Sequence, residues 1–116
     1  MGLYFHNATG STIDLAYAEY DPSCASDCND KWLKRGWYII SAGDTVKVWS
    51  GLAGGKTFYY YAESTTARWS GPYFTAVPPN AFEWCWCIAS SDSDKVGFRQ
   101  LSPTDPWVID RTINLS

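Results

Sequence analysis

FEWCWCIA, residues 82–89, is the stretch that decides the reading of this chain. In an extended strand, successive side chains alternate between faces. Phe82, Trp84, Trp86 and Ile88 then share one face, while Glu83, Cys85 and Cys87 share the other. The aromatic face reads as core and the cysteine face as an outer surface that needs a cover. The only other cysteines, Cys24 and Cys28, stand in DPSCASDCNDK (21–31), a polar loop with no hydrophobic period. That loop is expected to fold over the outer face of the 82–89 strand.

Same-face neighbours on a strand lie about 6.5–7 Å apart, too far for an easy bridge between Cys85 and Cys87. Each would instead reach across to the loop, pairing with Cys24 and Cys28 in either order. Alternatively, all four thiolates converge on one structural zinc, which is typically tetrahedral. The usual ribbon signature, however, is a pair of C-x-x-C knuckles, and the spacings here are C-x-x-x-C and C-x-C. Free thiols are the third state. Compartment separates them, because an oxidising one favours disulfides and a reducing one favours zinc or thiols.

The rest of the chain also reads as short strands between turns. LYFHN (3–7), TIDLAYAEY (12–20), WLKRGWYII (32–40, kinked at Gly36), TVKVW (45–49), TFYYYAE (57–63) and KVGFRQL (95–101) carry the strand pattern. In 12–20, Ile13, Leu15 and Tyr17 face one side, with Thr12, Asp14 and Ala16 opposite, so this strand is expected to be half-buried. SGPYFTAVPPNAF (70–82), with three prolines, reads as irregular. Residues 102–116 form a proline-broken tail, with a possible short edge strand at 107–110. No amphipathic helix of ten or more residues is legible. The expectation is one all-β domain over 1–116, an antiparallel β-sandwich of about seven to nine short strands, with a small β-barrel as the alternative.

Composition agrees. The chain has 116 residues, 46% hydrophobic and 18% charged, which is globular and not disordered. Seven Trp, eight Tyr and five Phe are unusual for this length and favour strands. The net charge of −3 and the lack of a basic block give no footprint for nucleic acid. No run approaches a membrane-spanning length of about 20 apolar residues. MGLYFHNATG has no basic start followed by an apolar stretch, so no secretory signal is read. The expected location is cytoplasmic if this is the whole protein, secreted or surface if it is a trimmed mature form. The opening Met-Gly would need Ser or Thr at position 6 for lipidation, and His6 stands there. Asn7-Ala8-Thr9 and Asn114-Leu115-Ser116 fit the glycosylation sequon.

Several chemistries find little support. Gly55-Lys56-Thr57 ends like a phosphate loop, but Ser50 stands where the first glycine belongs and a β-like run follows. His6, the only histidine, has no companion nucleophile. Asp21, Asp27, Asp30, Asp92 and Asp94 lack hard-cation spacing. Glu83 reads as a solubilising residue. No paired carboxylates or nucleophile and base point to catalysis, so the expectation is a non-enzymatic binding module.

Strand alternation must send some aromatics outward. Tyr59, Tyr61, Trp49, Trp69 and Tyr73 are the candidate binding surface, suited to a protein or a carbohydrate partner. The alternatives are a zinc-stabilised domain held by Cys24, Cys28, Cys85 and Cys87, a lectin stacking sugars on Tyr59, Tyr61 and Trp69, and a membrane-active sandwich with tyrosines at the lipid interface.

GWYIISAGDTVKV (36–48), FYYYAES (58–64), FHNATGSTIDLAYAEY upstream, and RWSGPYF and KVGFRQL downstream resemble the small bacterial domain of unknown function 1036. The resemblance covers about residues 3–101 and rests on Asn7, Gly36, Trp37, Gly43, Tyr59, Tyr60, Ala62, Gly71, Gly97 and Phe98. It departs at His6, Asp44 and Thr75, where that family often has cysteine. The family's covalent pattern therefore does not carry over. The resemblance implies a small aromatic-rich β domain and no known activity.

Overall fold

Ile13–Tyr20 (β2) lies near the centre of the larger sheet because both of its faces are apolar. This is seen in a computed structural model that describes residues 1–116. The other strands are Gly2–Asn7 (β1), Trp32–Ile40 (β3), Thr45–Ser50 (β4), Phe58–Glu63 (β5), Arg68–Trp69 (β6), Tyr73–Val77 (β7), Phe82–Cys85 (β8), Asp94–Leu101 (β9) and Asp110–Leu115 (β10). The protein is all-β. One sheet has the order β10-β1-β4; the other runs β7-β9-β5-β2-β3-β8, with β6 added beside β5. Every strand pair is antiparallel except β1 with β10, which is parallel.

Ile13, Leu15 and Tyr17 face the small sheet and join Leu3, Phe5, Val48, Phe58, Tyr60 and Leu115 in the main core. The buried residues on the opposite face of β2 are Ala16 and Ala18. Their small side chains leave room on the inside of the curl for the rings of Tyr61, Phe82 and Phe98. The half-buried reading of β2 is thus corrected: curling the sheet covers its second face as well. Gly36 is small for the same reason, since a Cβ there would stand 2.8 Å from the Phe82 ring. Opposite it the β2–β3 register slips, so the expected kink is a bulge; the Gly36–Trp37 peptide is cis.

The curl brings the two edge strands, β7 and β8, toward each other. No backbone ladder joins them. Side chains do. The Lys34 ammonium, fully buried, donates to Thr75 Oγ1 and Ile88 O, both at 2.9 Å, and to Ala76 O. Thr75 Oγ1 in turn donates to Trp86 O at 2.7 Å, and Trp37 Nε1 donates to Pro78 O at 2.8 Å. The Lys34 ammonium also sits over the Trp84 ring, 5.5 Å from its centroid. The result is a half-barrel closed by side chains and backed by the small sheet.

Other expectations change. Strand 82–89 stops at Cys85, because Trp86 O and Ile88 O are drawn to Thr75 and Lys34 instead of a ladder. Trp86 and Ile88 therefore leave the strand, and Ile88 is exposed. The segment 70–82 contains β7, because its prolines bracket the strand rather than interrupt it. The tail strand lies at 110–115, not 107–110, since the backbone of Val108 and Ile109 bonds Gly54 and Ala53 first. With the two-residue β6 this makes ten strands, one more than the upper expectation. Asn7 is buried, with Nδ2 donating to Ser11 O and Ile40 O and Oδ1 accepting from Thr9, so its sequon is a turn clamp and not a glycan acceptor. A strand and no helix follows Lys56-Thr57, against a phosphate loop.

Burial without a counter-charge lowers the Lys34 pKa from 10.5 to about 8. The folded value is below the unfolded one, so between these two values the unfolded chain binds more protons and stability rises with pH. Above that window Tyr17 and Tyr61, held neutral by burial, oppose the trend. Urea unfolding is therefore expected to show a gain of about 2 kcal/mol as pH rises from about 8 toward 10. Lys34→Met removes that slope. A wild-type curve flat across this window would refute the account.

Candidate binding site

The concave face of the large sheet has two ends, set by strand register. Asp14 pairs with Glu63 at one end, and Ala18 with Tyr59 at the other. The rings inside form a chain of contacts. Trp37 meets Phe82 and Tyr61; Tyr61 stacks on Phe98 at 6.3 Å; Phe98 meets Trp86 at 5.3 Å; Trp86 meets Tyr59 at 6.0 Å. At the Tyr59 end this string comes to the surface. Tyr59 touches Trp32 and Tyr73 edge-on, each with centroids 4.9 Å apart. Trp32 in turn meets Tyr20 at 5.7 Å.

Trp32, Tyr59, Tyr73 and Trp86 line an open groove of about 150 Å³, with the Asp30 carboxylate at its rim. Each side chain arrives from a different element. Trp32 begins β3, Tyr59 follows Phe58 on β5, Tyr73 begins β7, and Trp86 stands just past the end of β8. Tyr73 is further held by its hydroxyl, which meets Gln100 Oε1 at 3.1 Å. Burial first, then Tyr73 and the Asp30 charge, raise the Tyr59 pKa, so its phenol is a neutral hydrogen-bonding group.

The cysteines frame this groove. Cys24 is bonded to Cys85 and Cys28 to Cys87, with no free cysteine. The loop does cover the outer side of the β8 segment, opening with a short 3-10 turn at Pro22–Ser26 capped by Asp21. The two bonds settle the order that alternation left open. They also overturn the zinc reading, because all four sulfurs are consumed and no group of His, Cys, Asp and Glu is placed to hold a metal. Trp86 lies between Cys85 and Cys87, and Asp30 and Trp32 follow Cys28, so three groove residues hang on the bridged segments.

The expected aromatic set divides. Tyr59 and Tyr73 line the groove, and Trp49 lies in a neighbouring cleft against Phe58. Tyr61 and Trp69 are buried, 3% and 8% exposed, on opposite faces of the large sheet. They are core, because the curl covers one face and the small sheet the other. Trp32 and Trp86 were not expected here. Alternation assigned Trp86 to the core, which is half true, since one side of its ring packs on Phe98. Only its place between two bridged cysteines could have signalled the site. His6 bonds Thr45 in the small sheet, and Glu83 pairs loosely with Arg35 at 3.5 Å.

Two disulfides form and persist in oxidising settings, so they point to an extracellular or periplasmic location rather than the cytoplasm. No helix is long and apolar enough to cross a membrane. No family model, curated protein or solved structure matches this chain.

The Cys24–Cys85 bond closes 61 residues of sequence, and chain entropy puts its stabilisation at about 4 kcal/mol. The denatured, unreduced protein should weigh about 4 Da less than the reduced one. Cys24→Ser with Cys85→Ser should lower unfolding stability by about 2–5 kcal/mol. A mass unchanged by reduction would disprove the pairing.

Proposed function

We propose that this protein is a non-enzymatic carbohydrate-binding module, and that the groove between Trp32, Tyr59, Tyr73 and Trp86 is where a sugar ring stacks. One observation carries this reading. Four aromatic rings from separate elements surround a small open cleft lined also by Asp30, whose Oδ1 accepts from the Lys31 N–H and whose carboxylate forms no ion pair. Sugar rings present apolar C–H faces and polar edges. A mixed wall of aromatic faces and a carboxylate acceptor matches both, and aromatic residues supply contact area at low entropic cost. Secretion or surface display fits the disulfides, and a rigid bridged frame reduces what binding must order. Kinship with the domain of unknown function 1036 is proposed on the residues that resemble it, and adds no activity.

Titration with neutral sugars drawn from a glycan array should change tryptophan fluorescence, since Trp32 and Trp86 would change environment. Trp32→Ala and Tyr73→Ala should each weaken binding at least about tenfold. Both residues are partly solvent-exposed, so their folds should hold, which circular dichroism would check. Absence of binding across the array would overturn the proposal.

A further inference from the structure

The groove does not end at Trp32. Trp32 also lines a second, larger cleft of about 350 Å³, together with Glu19, Tyr20, Trp49, Lys56 and Thr57. Trp32 is therefore a shared wall between two clefts. The second cleft repeats the chemistry of the first. It has aromatic surface in Trp49 and Tyr20, and polar atoms in Thr57 and Lys56. The Lys56 ammonium lies over the Trp49 ring, 5.9 Å from its centroid, and no carboxylate pairs with it. Glu19, in contrast, is occupied by the Tyr17 hydroxyl at 2.8 Å and by Arg35 at 3.5 Å. The surface thus runs from Asp30, a carboxylate without an ion-pair partner, across Trp32, to Lys56, an ammonium without one.

We infer that these clefts are successive subsites for one extended oligosaccharide, which crosses Trp32 and places further units against Trp49, Lys56 and Thr57. This rests on the sugar-binding reading of the first groove. A single ring would use only the Asp30 cleft. A chain would use both, and its second segment would find hydrogen-bond donors at Lys56 where the first finds an acceptor at Asp30. The ligand class is a neutral, linear, β-linked glycan. Such chains are extended and show flat apolar faces, and the protein's net charge of −3 disfavours a polyanion. Affinity should then depend on chain length, because linked units gain from a high effective concentration at the second subsite.

The test is calorimetric titration of the disulfide-intact protein with glucose, N-acetylglucosamine, and cello- and chito-oligosaccharides from dimer to hexamer. Affinity in at least one series should rise at least about tenfold from monomer to tetramer and then level off. Trp49→Ala combined with Lys56→Ala should abolish that rise while leaving monosaccharide affinity within about twofold. Tyr73→Ala should weaken every length together. Monomer and hexamer binding equally tightly would overturn the second subsite while the sugar-binding reading stands. A length dependence that survives the Trp49, Lys56 double variant would also overturn it. No binding at any length in either series would overturn the extended-chain inference, and the sugar-binding reading falls with it only if the glycan array is blank as well.

Discussion

A buried ammonium holds the curled sheet together. Lys34 reaches from β3 to the carbonyls of Ala76 and Ile88 and to the hydroxyl of Thr75. A lysine is rarely fully buried without a carboxylate, because its desolvation costs several kcal/mol unless polar groups replace the water. Here three oxygens and the face of Trp84 do so. The seam between β7 and β8 needs this contact, since neither strand supplies the other with a ladder. Beside it the seam has the hydrogen bonds of Thr75 to Trp86 O and of Trp37 to Pro78 O.

That closure also shapes the groove. Thr75 accepts from Lys34 and donates to Trp86 O, so one hydroxyl links the ammonium to the residue flanked by Cys85 and Cys87. The disulfides fix the same segment from outside. Trp86 is thus held on both sides of the chain, and its ring can serve the core through Phe98 and the groove through Tyr59. The high aromatic content has a physical role in this. Alanines at Ala16 and Ala18 leave a concave space that flat rings fill, and the string they form emerges as an aromatic groove at the Tyr59 end.

The opposite end of the concave face is different in kind. Asp14, Glu63 and Asp94 surround a cleft beside Trp37 and the Pro78–Pro79 pair. Asp14 and Glu63 stand directly across from each other in the β2–β5 ladder, and like charges so placed are mildly destabilising. The two ends of one half-barrel therefore have contrasting character, aromatic at the disulfide end and acidic at the other.

Alternation along Ile13–Tyr20 and Phe58–Glu63, the glycine-bearing turns and the aromatic bias were enough to read an all-β domain. The cysteine face of β8 and the loop that covers it were legible too, because period-two geometry is a local property of the chain. The pairing of Cys24 with Cys85 and of Cys28 with Cys87 was not, since both orders satisfy the same spacing. Burial of Tyr61 and Trp69 depended on which faces other strands cover, and no local pattern reports that. The groove brings together residues 30, 32, 59, 73 and 86. Their proximity comes from a curl that Ala16, Ala18 and Lys34 permit, and such long-range closure is decided by packing and desolvation in three dimensions.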